Sequence, residues 1–113
     1  MPYLTITTNA SVDEATEVCR EASRQVCRIL DKPEKFMMVS FQEETTMLFG
    51  GLDRPAAYLR LEALGLSADR TGELTESLCG LAERMLKVPR DRVYIVFSDI
   101  EPAMWGWNNR TFG

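Results

Sequence analysis

Shifted by 56 residues, the chain lies over itself. Ser11 falls on Ser67, Asp13 on Asp69, Pro33 on Pro89, Phe41 on Phe97, Phe49 on Trp105 and Gly50 on Gly106. Self-similarity at a fixed period means that one supersecondary unit is used twice. The pseudo-repeats span about 1–56 and 57–113, and each reads strand, capped helix, proline stop, strand, aromatic–glycine end. Two such units make a β-α-β-β-α-β chain of the split βαβ kind. The fold class expected is α+β, a single domain with a four-stranded mixed sheet and both helices on one face. At 113 residues the chain is long enough for a real core but only marginally stable alone.

The elements follow from local chemistry. Pro2 to Thr8 is rich in β-branched and aromatic residues, a strand signature. Ser11-Val12-Asp13-Glu14 reads as a capping box, Ser11 accepting from the Glu14 N–H while Glu14 reaches back. Val12, Ala15, Cys19, Ala22, Val26, Ile29 and Leu30 then recur at helical spacing, and Pro33 stops the run. Phe36 to Gln42 predicts a second strand, apolar on both faces, and Ala57 to Leu64 a third with strict alternation. Ser67 or Asp69 caps a second helix with Leu74, Leu78, Leu81, Ala82, Met85 and Leu86 along its stripe. Gly80 inside it predicts close backbone approach to the sheet. Arg92 to Asp99 is the last long strand, and Trp105 to Phe112 a short aromatic tail.

Composition excludes several chemistries. The chain has no histidine, which removes Ser-His and Cys-His nucleophilic pairs and His-containing zinc sites. Acid–base work must then use a carboxylate, Lys, Tyr, Cys or a terminal amine. Three cysteines, Cys19, Cys27 and Cys79, form no close pair and read as reduced, buried small hydrophobes. A net charge of −4 without a basic block argues against nucleic acid as a partner. No apolar run approaches the length that spans a bilayer, and the start lacks a signal-peptide pattern, so the expectation is no membrane and a cytoplasmic location. No cofactor or metal is implied.

Two inferences concern function. Helices on one face leave the other face of the sheet open, and apolar residues there would mark an interface, most simply in a closed homo-oligomeric ring. If Met1 is removed, Pro2 becomes a constrained secondary amine at the head of an apolar strand. Burial and a neighbouring cation would both push such an amine toward its neutral, basic form. If Met1 stays, the Pro2 nitrogen is an amide and has no such role.

Several segments together resemble the macrophage migration inhibitory factor branch of the tautomerase superfamily. They are Met1-Pro2, Thr8-Asn9, Lys32-Pro33, Met47 to Gly51, Leu64-Gly65, Leu78 to Leu81, Arg90 to Ile95, and Gly106 to Asn109 followed by Thr111-Phe112. The resemblance covers nearly the whole chain. It implies a homotrimer with active sites at subunit interfaces, and cofactor-free keto–enol tautomerisation of phenylpyruvate-like α-keto acids. It implies Pro2 as general base or acid, Lys32 and the Leu64 backbone as holders of the substrate carboxylate, and Tyr94 as a neighbour's contribution. Phe36, Trp107 and Phe112 match its aromatic wall. The expectation is of a microbial member.

Departures from vertebrate members narrow that expectation. Val96 stands where they have an asparagine, Phe36 where they have a tyrosine, and Trp105 where they have a small aliphatic residue. Preference should shift toward unhydroxylated phenylpyruvate and away from bulkier, dopachrome-like substrates. The vertebrate Cys-x-x-Cys is absent, so thiol–disulfide exchange is not expected. A receptor-binding cytokine mimic with a vestigial pocket is the alternative from another class, though nothing in the sequence indicates a receptor surface. Haloacrylate dehalogenation or hydration is a side activity that Arg60, Glu62 and Arg110 could serve only if they shared the pocket.

Overall fold

The computed structural model describes residues 1–113. Strand β1 (Pro2–Thr8) leads through helix α1 (Ala15–Leu30) to strand β2 (Met38–Gln42). Strand β3 (Ala57–Leu64) leads through helix α2 (Thr71–Leu81), prolonged by a π turn over Ala82–Leu86, to strand β4 (Val93–Ile100). The sheet order is β2-β1-β3-β4. Strands β1 and β2 are parallel, as are β3 and β4, and β1 meets β3 antiparallel. This is the doubled unit the repeat requires, joined through its two first strands. A hairpin, β5 (Gly106–Trp107) and β6 (Arg110–Thr111), ends the chain.

The core lies between the sheet and the helices. Leu4 and Ile6 of β1 and Leu59 and Leu61 of β3 alternate inward and are fully buried. Val18, Ala22 and Val26 of α1 and Leu74, Leu78 and Leu81 of α2 close over them. Burying each such side chain is worth about 1.5–3 kcal/mol.

The repeat extends beyond the sequence matches. Asp31 and Lys87 end the two helical stretches in the left-handed region, at φ 55° and 58°. Pro33 and Pro89 follow, and then short 3₁₀ turns at Glu34–Phe36 and Arg90–Arg92. Every one of these pairs keeps the 56-residue shift.

Four expectations need correction. Ser11 does not cap α1; the helix begins at Ala15 with no side-chain cap, and the free N–H of Val12 is taken by the Glu43 carboxylate at 2.7 Å. Ser67 does accept from the Asp69 N–H, at 3.2 Å. Phe36 lies in a 3₁₀ turn and β2 begins two residues later. Gly80 faces away from the sheet: a Cβ there would meet the Arg84 and Arg90 guanidinium groups at 3.3 and 3.9 Å. Finally, the open face of the sheet is not a continuous apolar patch. Its centre is polar, with Thr5, Ser40, Arg60, Glu62 and Ser98 in register, and apolar residues collect at its margins as Met38, Tyr58, Tyr94 and Val96. No helix is long and apolar enough to cross a membrane.

Candidate active site

Pro2 is the first residue of β1, which has a strand on either side, and its ring is fully buried. Its register partner on β3 is Ala63, next to Leu64. Lys32 comes to the same place from the left-handed turn that ends α1, and its Nζ donates to the Leu64 carbonyl at 2.9 Å. The ammonium thus stands beside the head of β1. Its effect is visible on the Met1 amine, which is pushed below the ordinary value, first by burial and then by the Lys32 charge, against a smaller opposing influence from Cys27. All three cysteines are free, and burial pushes each thiol up, so they stay protonated.

A cleft of about 560 Å³ opens at this end of the sheet. Met1, Pro2 and Tyr3 form its floor, Phe36, Met37 and Met38 one wall, and Trp105 and Trp107 another. The hairpin carries Trp107 across, with Asn108 and Asn109 at its tip both at positive φ, a conformation asparagine tolerates. Phe36 meets Trp107 edge-on at 5.7 Å, and Phe112 stacks on the far side of Trp107 at 6.1 Å. The aromatic wall is therefore contiguous, although Phe112 buttresses it without lining the cleft.

Among the sequence-chosen residues, Pro2, Phe36 and Trp107 share the cleft, and Lys32 and Leu64 are bonded at its inner edge. Tyr94 does not join them. It pairs with Tyr58 on β3, five residues along β4 from Asp99, the partner of Ala63. That is about 17 Å along the strand, so within one chain Tyr94 is out of reach. Val96 likewise lies out on the open face and does not line the cleft.

Other lining residues were missed or left unplaced. Glu62 enters the cleft, 3.9 Å from the Arg60 guanidinium. Arg60 and Arg110 do not, so the set needed for haloacrylate chemistry is not assembled. Lys35 lies 4.9 Å over the Phe36 ring. The Tyr3 hydroxyl bonds Ser40 at 2.8 Å. Glu62 could have been found from the alternation of β3 against β1, since it sits opposite Tyr3. No three His, Cys, Asp or Glu side chains come together as a metal site.

The cleft has a twin. A smaller hollow of about 290 Å³ is lined by Met47 to Gly50, Ala57, Tyr58 and Tyr94. At the 56-residue shift, Leu48 falls on Met104, Phe49 on Trp105, Gly50 on Gly106, Ala57 on Met1 and Tyr58 on Pro2. Tyr94 falls on Met38. The two hollows are the same place in the two halves, one holding the chain's amino end and the other a tyrosine.

A family model described as macrophage migration inhibitory factor matches residues 1–113. A macrophage migration inhibitory factor homologue of Brugia malayi is 34% identical over 115 residues, covering 100% of both chains. The crystal structure of a homologue from Prochlorococcus marinus superposes with a TM-score of 0.94 at 37% identity, over 98% of this chain and 99% of that one. The Trichinella spiralis protein superposes with a TM-score of 0.91 at 28% identity, over 97% and 99%.

Proposed function

The chain belongs to the macrophage migration inhibitory factor family, and from that premise we propose that it is a cofactor-independent keto–enol tautomerase of phenylpyruvate-like α-keto acids, with Pro2 as its acid–base group. The observation that carries this reading is the seat of Pro2. It heads a buried strand at the floor of an aromatic cleft, beside a lysine already committed to that corner.

In the processed chain the Pro2 amine is neutral and basic for the two reasons that act on the Met1 amine, burial and the Lys32 charge. Lys32 and the Leu64 backbone hold the substrate carboxylate. Pro2 takes a proton from C3 of the keto acid, and the electron pair moves onto the carbonyl oxygen. That oxygen gains a proton and the enol leaves; the reverse returns the proton from Pro2 to C3. Phe36 and Trp107 bury the phenyl ring.

The site is completed in a homotrimer, where Tyr94 of one copy reaches the cleft of another. Val96 and Phe36 offer no hydrogen bond to a ring hydroxyl, and Trp105 narrows the mouth, so unhydroxylated phenylpyruvate is the preferred substrate. A cytoplasmic location fits this role.

The test compares processed protein, its mass checked intact, with Pro2→Gly and with a form that retains Met1. Phenylpyruvate enol–keto conversion should fall about 100-fold or more in both, the range expected on losing a general base. Equal rates in all three would sink the mechanism.

A further inference from the structure

Arg92 stands just before β4, half-buried, with no carboxylate beside it. Its guanidinium spends every nitrogen on backbone carbonyls of the segment that leads into β3. Nε donates to Pro55 at 2.9 Å, Nη1 to Phe49 at 3.2 Å, and Nη2 to Leu52 and Arg54, each at 3.1 Å. The same group lies 5.1 Å over the Phe49 ring. Phe49 in turn packs on Tyr94, ring centroids 4.7 Å apart. Between Phe49 and Leu52 the chain reverses through Gly50 and Gly51, both at positive φ, closed by two backbone bonds at 3.0 and 3.1 Å. A planar fork with five donors can hold four carbonyls at fixed angles; an ammonium on a flexible stem cannot.

We propose that Arg92 is a positioning residue for a neighbouring subunit's active site. It fixes the 49–55 segment, the segment fixes Phe49, and Phe49 fixes the Tyr94 ring that completes the neighbour's Pro2 cleft. This rests on the reading of Tyr94 given above. Arg92 itself touches neither Pro2 nor the cleft of its own chain.

The relay is separable from folding. The far end of the same segment has an independent tie: Asn9 Nδ2 donates to the Arg54 carbonyl at 3.0 Å, and the Ala56 N–H donates to Asn9 Oδ1 at 2.8 Å. Losing Arg92 therefore frees Phe49 and the turn without releasing β3.

The experiment is subunit complementation. Arg92→Gln alone should raise KM for phenylpyruvate about 10- to 100-fold, the cost of a wall residue displaced by about an ångström, with kcat and the Pro2 pH limb changed far less. Arg92→Lys should not rescue it, which a role for charge alone would predict. Refolded together in equal amounts, Arg92→Gln and Pro2→Gly should recover about a quarter of the wild-type rate at low substrate. In random closed rings that is the share of sites pairing an intact Pro2 with a neighbour's intact Arg92 and Tyr94. A folded Arg92→Gln protein that gains nothing from the Pro2→Gly partner overturns the proposal. If Arg92→Gln does not fold, Phe49→Leu, which keeps the carbonyl bonds, takes its place in the mixture with the same two outcomes. If Pro2→Gly alone turns over like wild type, the base reading falls instead. The KM shift of Arg92→Gln with its failed lysine rescue then supports the relay, and an unchanged KM overturns it.

Discussion

Lys32 was legible in the sequence as a cation at a helix end, but its bond to the Leu64 carbonyl was not, because that contact spans 32 residues. The bond turns a helix-end charge into a fixed feature of the amine's surroundings. Both burial and this charge disfavour the protonated amine in the fold, so the folded amine loses its proton at lower pH than the unfolded one. In the window between those two values the unfolded chain holds more protons. Stability therefore climbs as pH rises toward about 8, the ordinary value of a terminal amine, and levels off above it. The same shift places the rising limb of kcat/KM below that value. Lys32→Met should move the limb upward while burial keeps it from returning fully, and should raise KM about 10- to 100-fold through the lost charged contact. A limb that stays in place would assign the whole shift to burial. Glu62 shows the opposite case: its carboxylate was noted in the sequence, yet only the register of β3 against β1 puts it in the cleft.

At the scale of elements, strands were read best. Ala57–Leu64 came out to the residue because β3 alternates strictly between a buried and an open face. The start of α1 was misread because a capping box is a local rule, while the Val12 N–H found its acceptor in Glu43, 31 residues away. Helix ends carry a testable asymmetry. Asp31 and Lys87 hold equivalent left-handed positions, but aspartate visits that region readily and lysine does not. Lys87→Gly should therefore stabilise the fold by about 0.5–1 kcal/mol, and Asp31→Gly by close to nothing. Urea midpoints measured side by side decide it; equal gains would mean that backbone strain is not what separates them.

The whole molecule exposes more surface than a monomer of its mass should. Its accessible area is 6855 Å², against about 6300 Å² from the scaling for folded monomers. Its radius of gyration is 14.3 Å, where about 13.3 Å is expected for this length. Much of the apolar surplus sits around the smaller hollow, where Leu48 is 69% and Tyr94 64% exposed. The sequence led to an oligomer through an apolar open face; the structure moves the argument to that margin, since the centre of the face is polar. Leu48→Asp should convert a particle of three 12.8 kDa chains into single chains in sedimentation velocity, with unchanged circular dichroism. A mutant that stays assembled would place the interface elsewhere.

The twin hollows have a consequence for how this fold can be used. A duplicated unit offers two equivalent berths, and an amine can occupy only the one where a polypeptide begins. Which berth is live is a property of where the chain is cut, not of the scaffold. A circular permutation that opened the backbone ahead of position 58 and set a proline there would move the amine to the other berth and fill the first with an internal peptide. Reactivity in such a scaffold is addressed by connectivity, with the strands left where they are.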